Sequence, residues 1–388
     1  MFSRFFSPRP LSRPLVVAAV GVLAVAAPGQ VLAASAAPRQ AIGQVQVVAS
    51  HLDNPRGLAF DKKGNLYIAE AGHGGSLCLG AGPEGDQQCA GLTSGLSKVS
   101  HGHVRRVATG LISVASPDGT GAEGLVAVST RRNRVFGQIG LNTSGIPSGA
   151  SGPAIDAARA QLGRTVAFRD DNHRWRSLAS TGDADFAWTA ARVNLQPDQF
   201  PDANPNGMAT LGKQQYVADA GANLLARVDS RGRVSTVAYF QVPKGSPTDG
   251  VPTCVAKARD GSLYVGELLG GDFAPGHARV WQVWPNGKAQ VKWTGFTTIQ
   301  GCGFDSRGNF YATEFQTAGL GSQTDHAGAV VQVTPGGKRT VFGASSLMNP
   351  SGFAYHNGRV YVSNFSVLPA QPLAAGAPTG EVVSIRVR

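Results

Sequence analysis

The sequence predicts an all-β fold, a six-bladed β-propeller of four-stranded antiparallel blades, on three observations. A short β-meander is written six times, each copy carries hairpins closed by glycine-bearing turns, and the last copy stops one strand short while a spare strand precedes the first. Meanders repeated without crossover helices describe propeller blades.

The first copy reads Asn54-Pro55-Arg56-Gly57-Leu58-Ala59-Phe60, a Gly64-Asn65 turn, then Leu66-Tyr67-Ile68-Ala69-Glu70. The pattern returns at Asn204–Ala209 with Tyr216–Asp219, at Pro252–Ala256 with Leu263–Glu267, and at Gly301–Phe304 with Phe310–Glu314. It returns again at Asn349–Ala354 with Val360–Asn364, and in degenerate form at Glu123–Ala127 with Val135–Gln138. A second hairpin follows in most copies, turning at His101-Gly102, Arg231-Gly232, Asn286-Gly287 and Gly336-Gly337. Such turns require φ > 0, which glycine and asparagine supply.

Closure follows from the ends. Glu381–Ile385 leaves the last blade one strand short, and Val47–Leu52 stands before the first Asn-Pro as Val341–Leu347 stands before the last. The N-terminal strand is therefore expected to complete the C-terminal blade, leaving no free sheet edge.

Two copies carry insertions, 72–95 and 139–203, the second with a helix expected at Ala154–Leu162 and outer strands at Arg164–Phe168 and Trp175–Ala179. Cys78 and Cys89 lie in the first insertion and are expected to pair in an oxidising compartment. Cys254 and Cys302 sit near the starts of inner strands on neighbouring blades, where a second pair is open to them. No Cys-x-x-Cys occurs.

The first 36 residues read as a secretory signal peptide: Arg4, Arg9 and Arg13 precede the uncharged run Leu15–Ala27, and Val31-Leu32-Ala33 offers a cleavage site. A short linker, 37–43, would lead into one propeller spanning 44–388. No later segment has the length of a membrane helix, so a soluble, secreted protein is expected; a monomer is expected as well. Of 35 basic residues three fall in the leader, leaving 32 against 24 acidic ones, a net charge of +8. That balance favours polyanions. Lys and Arg are nevertheless scattered singly along the chain, mostly at hairpin turns, which argues against nucleic acid.

Strand geometry singles out two rings of residues, both expected around one mouth of the central channel. Arg56, Glu123, Asn206, Thr253, Gln300 and Ser351 open the inner strands, and Glu70, Gln138, Asp219, Glu267, Glu314 and Asn364 end the second strands. Arg56, Glu123, Asn206, Gln138, Gln300 and Asn364 are candidate ligand-binding residues. The acids Glu70, Asp219, Glu267 and Glu314 suit a hard cation such as Ca²⁺, or else they bond backbone groups as a repeated repair. His73, His277 and His326, with Asp272 and Asp325, lie on long loops of the same face and are the candidates for a general base. No nucleophile-elbow, zinc-protease, P-loop or EF-hand pattern is present.

Asp202–Gly207, Val217–Asn223, Leu263–Leu268, Asn54–Phe60 and the Cys78–Cys89 insertion together resemble the ScyD/ScyE family of exported propeller proteins. More distantly the repeat is similar to NHL-type and SMP-30/gluconolactonase/strictosidine-synthase-like propellers. In that wider group a divalent metal sits at the channel mouth, and Glu70, Asn206, Asp219, Glu267 and Glu314 are the positions of matching type. The expectation is an exported propeller that binds a small molecule, polysaccharide or protein through the channel mouth and its loops. The alternatives are a metal-assisted lactonase- or lyase-like enzyme and a structural wall or matrix protein.

Overall fold

The computed structural model describes residues 41–81, 87–169, 174–241, 249–270, 275–320 and 325–388. The expected signal peptide, most of the linker and Asp272 lie outside these residues. β1 (Val45–Leu52) belongs to the last blade, and the first blade follows it with β2 (Pro55–Phe60), β3 (Leu66–Glu70), β4 (Leu77–Ala81), β5 (Gln87–Ser100) and β6 (His103–Ala115). The second blade has β7 (Leu125–Arg131), β8 (Arg134–Ile139), β9 (Arg164–Arg169) and β10 (Arg174–Ser180), with α1 (Pro153–Gln161) between β8 and β9. α2 (Thr181–Ala190) follows β10 and leads to the third blade, β11 (Pro205–Leu211), β12 (Gln214–Asp219), β13 (Leu224–Val228) and β14 (Val234–Tyr239).

The fourth blade is β15 (Pro252–Lys257), β16 (Leu263–Glu267), β17 (Ala278–Val283) and β18 (Ala289–Phe296). The fifth is β19 (Ile299–Phe304), β20 (Phe310–Glu314), β21 (Ala327–Val333) and β22 (Arg339–Met348), and the sixth begins with β23 (Phe353–His356), β24 (Arg359–Asn364) and β25 (Gly380–Arg386). Six antiparallel sheets result, and the sixth has the order β1-β25-β24-β23. Val45 pairs with Ile385 and Val47 with Val383, so the first strand closes the ring as its sequence requires.

The repeated Asn-Pro-x-Gly has a mechanical reading. Asn54 and Asn349 adopt left-handed φ values of 47° and 45°, which Asn tolerates better than most residues. The Asn54 side chain then donates to the carbonyls of Gly72 and Gly119, each at 2.8 Å, and accepts from Ala122 N–H at 3.2 Å, tying the first blade to the second. The glycine lets inner strands crowd the axis: a Cβ on Gly207 would strike the Thr253 carbonyl, and one on Gly352 the Arg56 carbonyl. Between neighbouring blades lie apolar clusters such as Tyr264, Phe296, Ile299 and Phe310.

Two features depart from the sequence reading. The 72–95 insertion contributes strands to the first blade: β5 runs 14 residues and pairs with β3, β4 and β6, making a five-stranded sheet. α2 was not expected at all; α1 falls within one residue of the expected helix. Both disulfides form, Cys78–Cys89 across the β4–β5 hairpin and Cys254–Cys302 between the inner strands of the fourth and fifth blades. Among the described residues no helix is long and apolar enough to cross a membrane.

Candidate functional site

The two rings have different surroundings, and a bulge repeated in three blades re-aims part of the first. The inner strands of the third, fourth and fifth blades slip register at their start, between Pro205 and Gly207, Pro252 and Cys254, and Ile299 and Gly301. A bulge adds a residue without a partner and re-aims it. Asn206, Thr253 and Gln300 are those residues, and with Ser351 they line a narrow cavity of about 60 Å³ among the inner strands. That volume holds about two waters. It is too small for a sugar.

The second-strand ring is engaged by donors in, or leading into, its own blades. Glu70 accepts from Asp53 N–H at 2.8 Å, from Arg106 Nη2 at 2.9 Å and from Ser97 on β5. Glu267 accepts from Arg279 Nε and Nη2, both at 2.8 Å, and from Trp281 Nε1 at 2.7 Å, all on β17. Asp219 accepts the N–H groups of Asn204, Gly221 and Ala222 at 2.7, 3.1 and 2.9 Å. Glu314 accepts Thr297 N–H at 2.8 Å, and Asn364 accepts Met348 N–H at 2.7 Å while donating to Glu381 at 2.8 Å. Gln138 accepts from Thr165 Oγ1 on β9 at 2.6 Å.

Four of these six therefore satisfy the backbone N–H that leads into their own inner strand, the repair alternative stated above. Burial raises the pKa of Glu267 and Glu314, and the hydrogen bonds they accept offset part of that rise. Acids on four blades, each turned to its own donors, do not fit one Ca²⁺, which takes six to eight oxygens. Among the described residues no group of three or more His, Cys, Asp or Glu is placed to hold a metal.

Arg56 and Glu123 lie close enough to feel each other's charge, at the junction of the first two blades. Arg56 Nη2 donates to the Ala122 carbonyl at 2.8 Å, while Arg56 Nε and Glu123 Oε2 are buried without a hydrogen-bond partner. Burial pulls the Arg56 pKa down and pushes that of Glu123 up, and each charge partly restores the other.

The larger space lies elsewhere. A cleft of about 530 Å³ opens where the first blade meets the last, lined by His51, Asp53, Glu70, His73, Ser97 and Arg106 among others. Asp53 is 3 % exposed, and its carboxylate orients three groups at once. Oδ1 lies 3.1 Å from His73 Nδ1 and accepts Ala370 N–H at 2.8 Å, while Oδ2 accepts from Arg106 Nη2 at 2.7 Å. Held at Nδ1, the half-exposed His73 keeps Nε2 for whatever enters the cleft. Arg106, also half-exposed, engages Nε and Nη2 and leaves Nη1 available.

The backbone under His73 is fixed. Gly72 and Gly74 flank it with φ of 86° and 67°, and a Cβ on Gly72 would meet Ser113 Oγ and Ser94 N at 2.6 Å. His73 N–H donates to Thr93 Oγ1 at 2.9 Å and Gly74 N–H to Ser113 Oγ at 2.9 Å. This is a pinned imidazole rather than a solvated loop side chain.

The other candidate bases are elsewhere. His277 is exposed before β17, and His326 Nδ1 lies 3.1 Å from Gln316 Nε2 before β21, so the three histidines stay on separate blades. Asp325 accepts Ala327 N–H at 2.9 Å. Sequence reasoning missed Asp53 and Arg106. A signal existed for Asp53: the residue before Asn-Pro is Ala203 in one copy and Met348 in another, so an acid there breaks the repeat.

No family profile and no curated protein matches the chain. Solved structures do. One from Thermus thermophilus, provisionally described as an oxidoreductase of the glucose dehydrogenase type, is 13 % identical over 88 % of this chain and 99 % of its own, with a TM-score of 0.51. A Bacteroides thetaiotaomicron protein of unknown function is 9 % identical over 88 % and 75 %, with a TM-score of 0.52. A third, provisionally described as a gluconolactonase, is 12 % identical over 88 % and 91 %, with a TM-score of 0.50. At such identities the likeness is one of fold, and what it establishes is that this chain is a six-bladed β-propeller.

Proposed function

We propose that the protein is an exported propeller that binds a small polar ligand in the cleft between its first and last blades. The observation that carries this is the Asp53 carboxylate, which orients His73 on one oxygen and Arg106 on the other, facing about 530 Å³ of open space. A buried acid that fixes one imidazole and one guanidinium is preorganised for hydrogen bonding, and preorganisation lowers the entropic cost of binding. His73 Nε2 and Arg106 Nη1 together offer an acceptor and donors, which suits a hydroxyl- or carbonyl-rich molecule. Two disulfides are in keeping with an oxidising compartment, and the resemblance to the ScyD/ScyE proteins supports export.

The test is a melting-temperature screen with sugars, polyols and sugar acids. A ligand held in this cleft raises the melting point of the wild type, because it binds only the folded state. His73→Gln should erase that rise and leave the unliganded melting point unchanged. Equal ligand response in the variant would exclude the cleft.

The alternative is a divalent-metal-assisted hydrolase or lyase. Its support is the residue chemistry of Glu70, Asp219, Glu267 and Glu314, and their dispersal over four blades counts against a shared ion. Melting with Ca²⁺ and then with chelator separates the two readings.

A further inference from the structure

The chain's excess of positive charge looks scattered in sequence, and the fold gathers part of it. Arg131, Arg132 and Arg134 stand at the β7–β8 turn, Lys213 at the β11–β12 turn, and Arg231 and Arg233 at the β13–β14 turn. These turns lie on the face opposite the one where the inner strands begin, and so opposite the His73 cleft. Arg131, Arg132, Arg134, Arg176, Lys213 and Arg231 line one cavity of about 690 Å³. A neighbouring cavity of about 710 Å³ shares Lys213 and Arg231, adds Arg233, and reaches Pro285 of the fourth blade. The two cavities adjoin at the third-blade turns, and their linings together draw on three blades.

Asp229 is the one acid in the described lining. It is already engaged, accepting N–H from Arg231 and Arg233 at 2.8 and 3.0 Å and Nε of Arg233 at 2.7 Å. The remaining cations form no ion pair with any described residue. Clustered like charges are a cost to the fold unless an anion meets them, and a cleft of one sign concentrates its field on such a ligand. Six of the seven cations are arginines, whose planar guanidinium matches carboxylate, sulfate and phosphate oxygens two at a time.

We propose that this groove binds an anionic polysaccharide, its acidic groups spaced along the run from the second blade to the fourth. The choice of a glycan has two supports. The only aromatic side chains in the described lining, Phe136 and Tyr216, are buried at 7 % and 1 % exposure, so the described lining offers no platform on which bases could stack. Among the described residues none of the exposed large apolar side chains lines these cavities, which leaves little there to enter a lipid surface. The choice also rests on the reading of the protein as exported.

The test measures affinity for polygalacturonate and for dextran sulfate over a salt series, with neutral dextran as a blank. The wild type should bind at least one charged glycan, carboxylated or sulfated, with affinity falling steeply as salt rises. The variant Arg132→Ala/Arg134→Ala/Lys213→Ala/Arg231→Ala should lose about tenfold or more at fixed salt, with an unchanged melting point, since all four side chains are exposed. A matched variant, Arg105→Ala/Arg159→Ala/Arg192→Ala/Lys338→Ala, removes the same charge elsewhere and should keep its affinity. Equal loss in both variants would reduce the effect to net charge and overturn the groove. So would failure to bind either charged glycan, or tighter binding to oligo-dT or to anionic vesicles. Ligand binding at the His73 cleft is scored separately, by the His73→Gln melting screen, so either proposal can fail alone.

Discussion

Asp185 on α2 and Asp219 at the end of β12 meet carboxyl to carboxyl, 1 % and 0 % exposed, and the Oδ2 of each has no donor from any other group. Two buried carboxylates in contact cannot both be ionised, so they share a proton. Asp219 is pushed up to about 6, chiefly by burial, against the pull of the N–H bonds from Ala222 and Asn204. Asp185 is raised well above the ordinary carboxylate range by burial and by the Asp219 charge. Asp202 adds a further negative charge beside Asp219, while Asp183 on α2 faces Arg164 of β9.

Because these folded-state values lie above those of the unfolded chain, the pair stabilises the protein fully below about pH 4 and progressively less as pH rises through 6 and beyond. Melting temperature measured from pH 4 to 9 should therefore fall across that window. Asp185→Asn supplies a permanent N–H donor and should flatten the fall. An unaltered pH profile in the variant would place the sensitivity elsewhere.

Glu267 should prove a fastener. Glu267→Ala leaves Arg279 and Trp281 donors without an acceptor, a loss of about 3–5 kcal/mol for a broken buried pair. The stability loss should be the same with Ca²⁺ and with chelator. A chelator-sensitive difference between wild type and variant would restore the metal reading of that residue.

The two disulfides should differ in worth. Cys254–Cys302 closes 48 residues and Cys78–Cys89 closes 11. On the chain-entropy account, removing the first costs about 4 kcal/mol and the second about 3 kcal/mol. Denaturant unfolding of Cys254→Ser/Cys302→Ser and of Cys78→Ser/Cys89→Ser measures both.

Gly352→Ala tests the crowding at the axis. Its Cβ would run into the Arg56 carbonyl, backbone that has no room to retreat. Overpacking of this kind costs about 1–3 kcal/mol or more. Gly261→Ala, at a turn with open space and φ of 82°, should cost less, reflecting only backbone strain.

The strands, their order and the closing strand were legible because their signals are local. Asn-Pro-x-Gly fixes where an inner strand begins, and Asn286-Gly287 or Gly336-Gly337 fixes where a hairpin turns. The bulge was not legible. One extra residue at Asn206, Thr253 or Gln300 leaves the sequence pattern intact and takes that residue out of the pairing with the second strand. α2 escaped because the face it buries carries Thr181, Asp185 and Thr189, polar at every fourth residue, where a periodicity search looks for apolar ones. The cleft escaped because Arg106 stands 53 positions from the Asp53 it grips. The basic groove escaped for the same reason, since its members come from separate hairpins.

The pairing of β1 with β25 dictates an order of assembly. While the chain is being made, Val45–Leu52 has no mate, and five blades can stack before the sixth is whole. Sealing is thus the final event, and it joins residues from opposite ends of the polypeptide, a slow kind of contact to form. The same seam borders Asp53, one residue past β1. Deleting Val45–Leu52, or cutting into Gly380–Arg386, would loosen the last blade and unmake the pocket beside it.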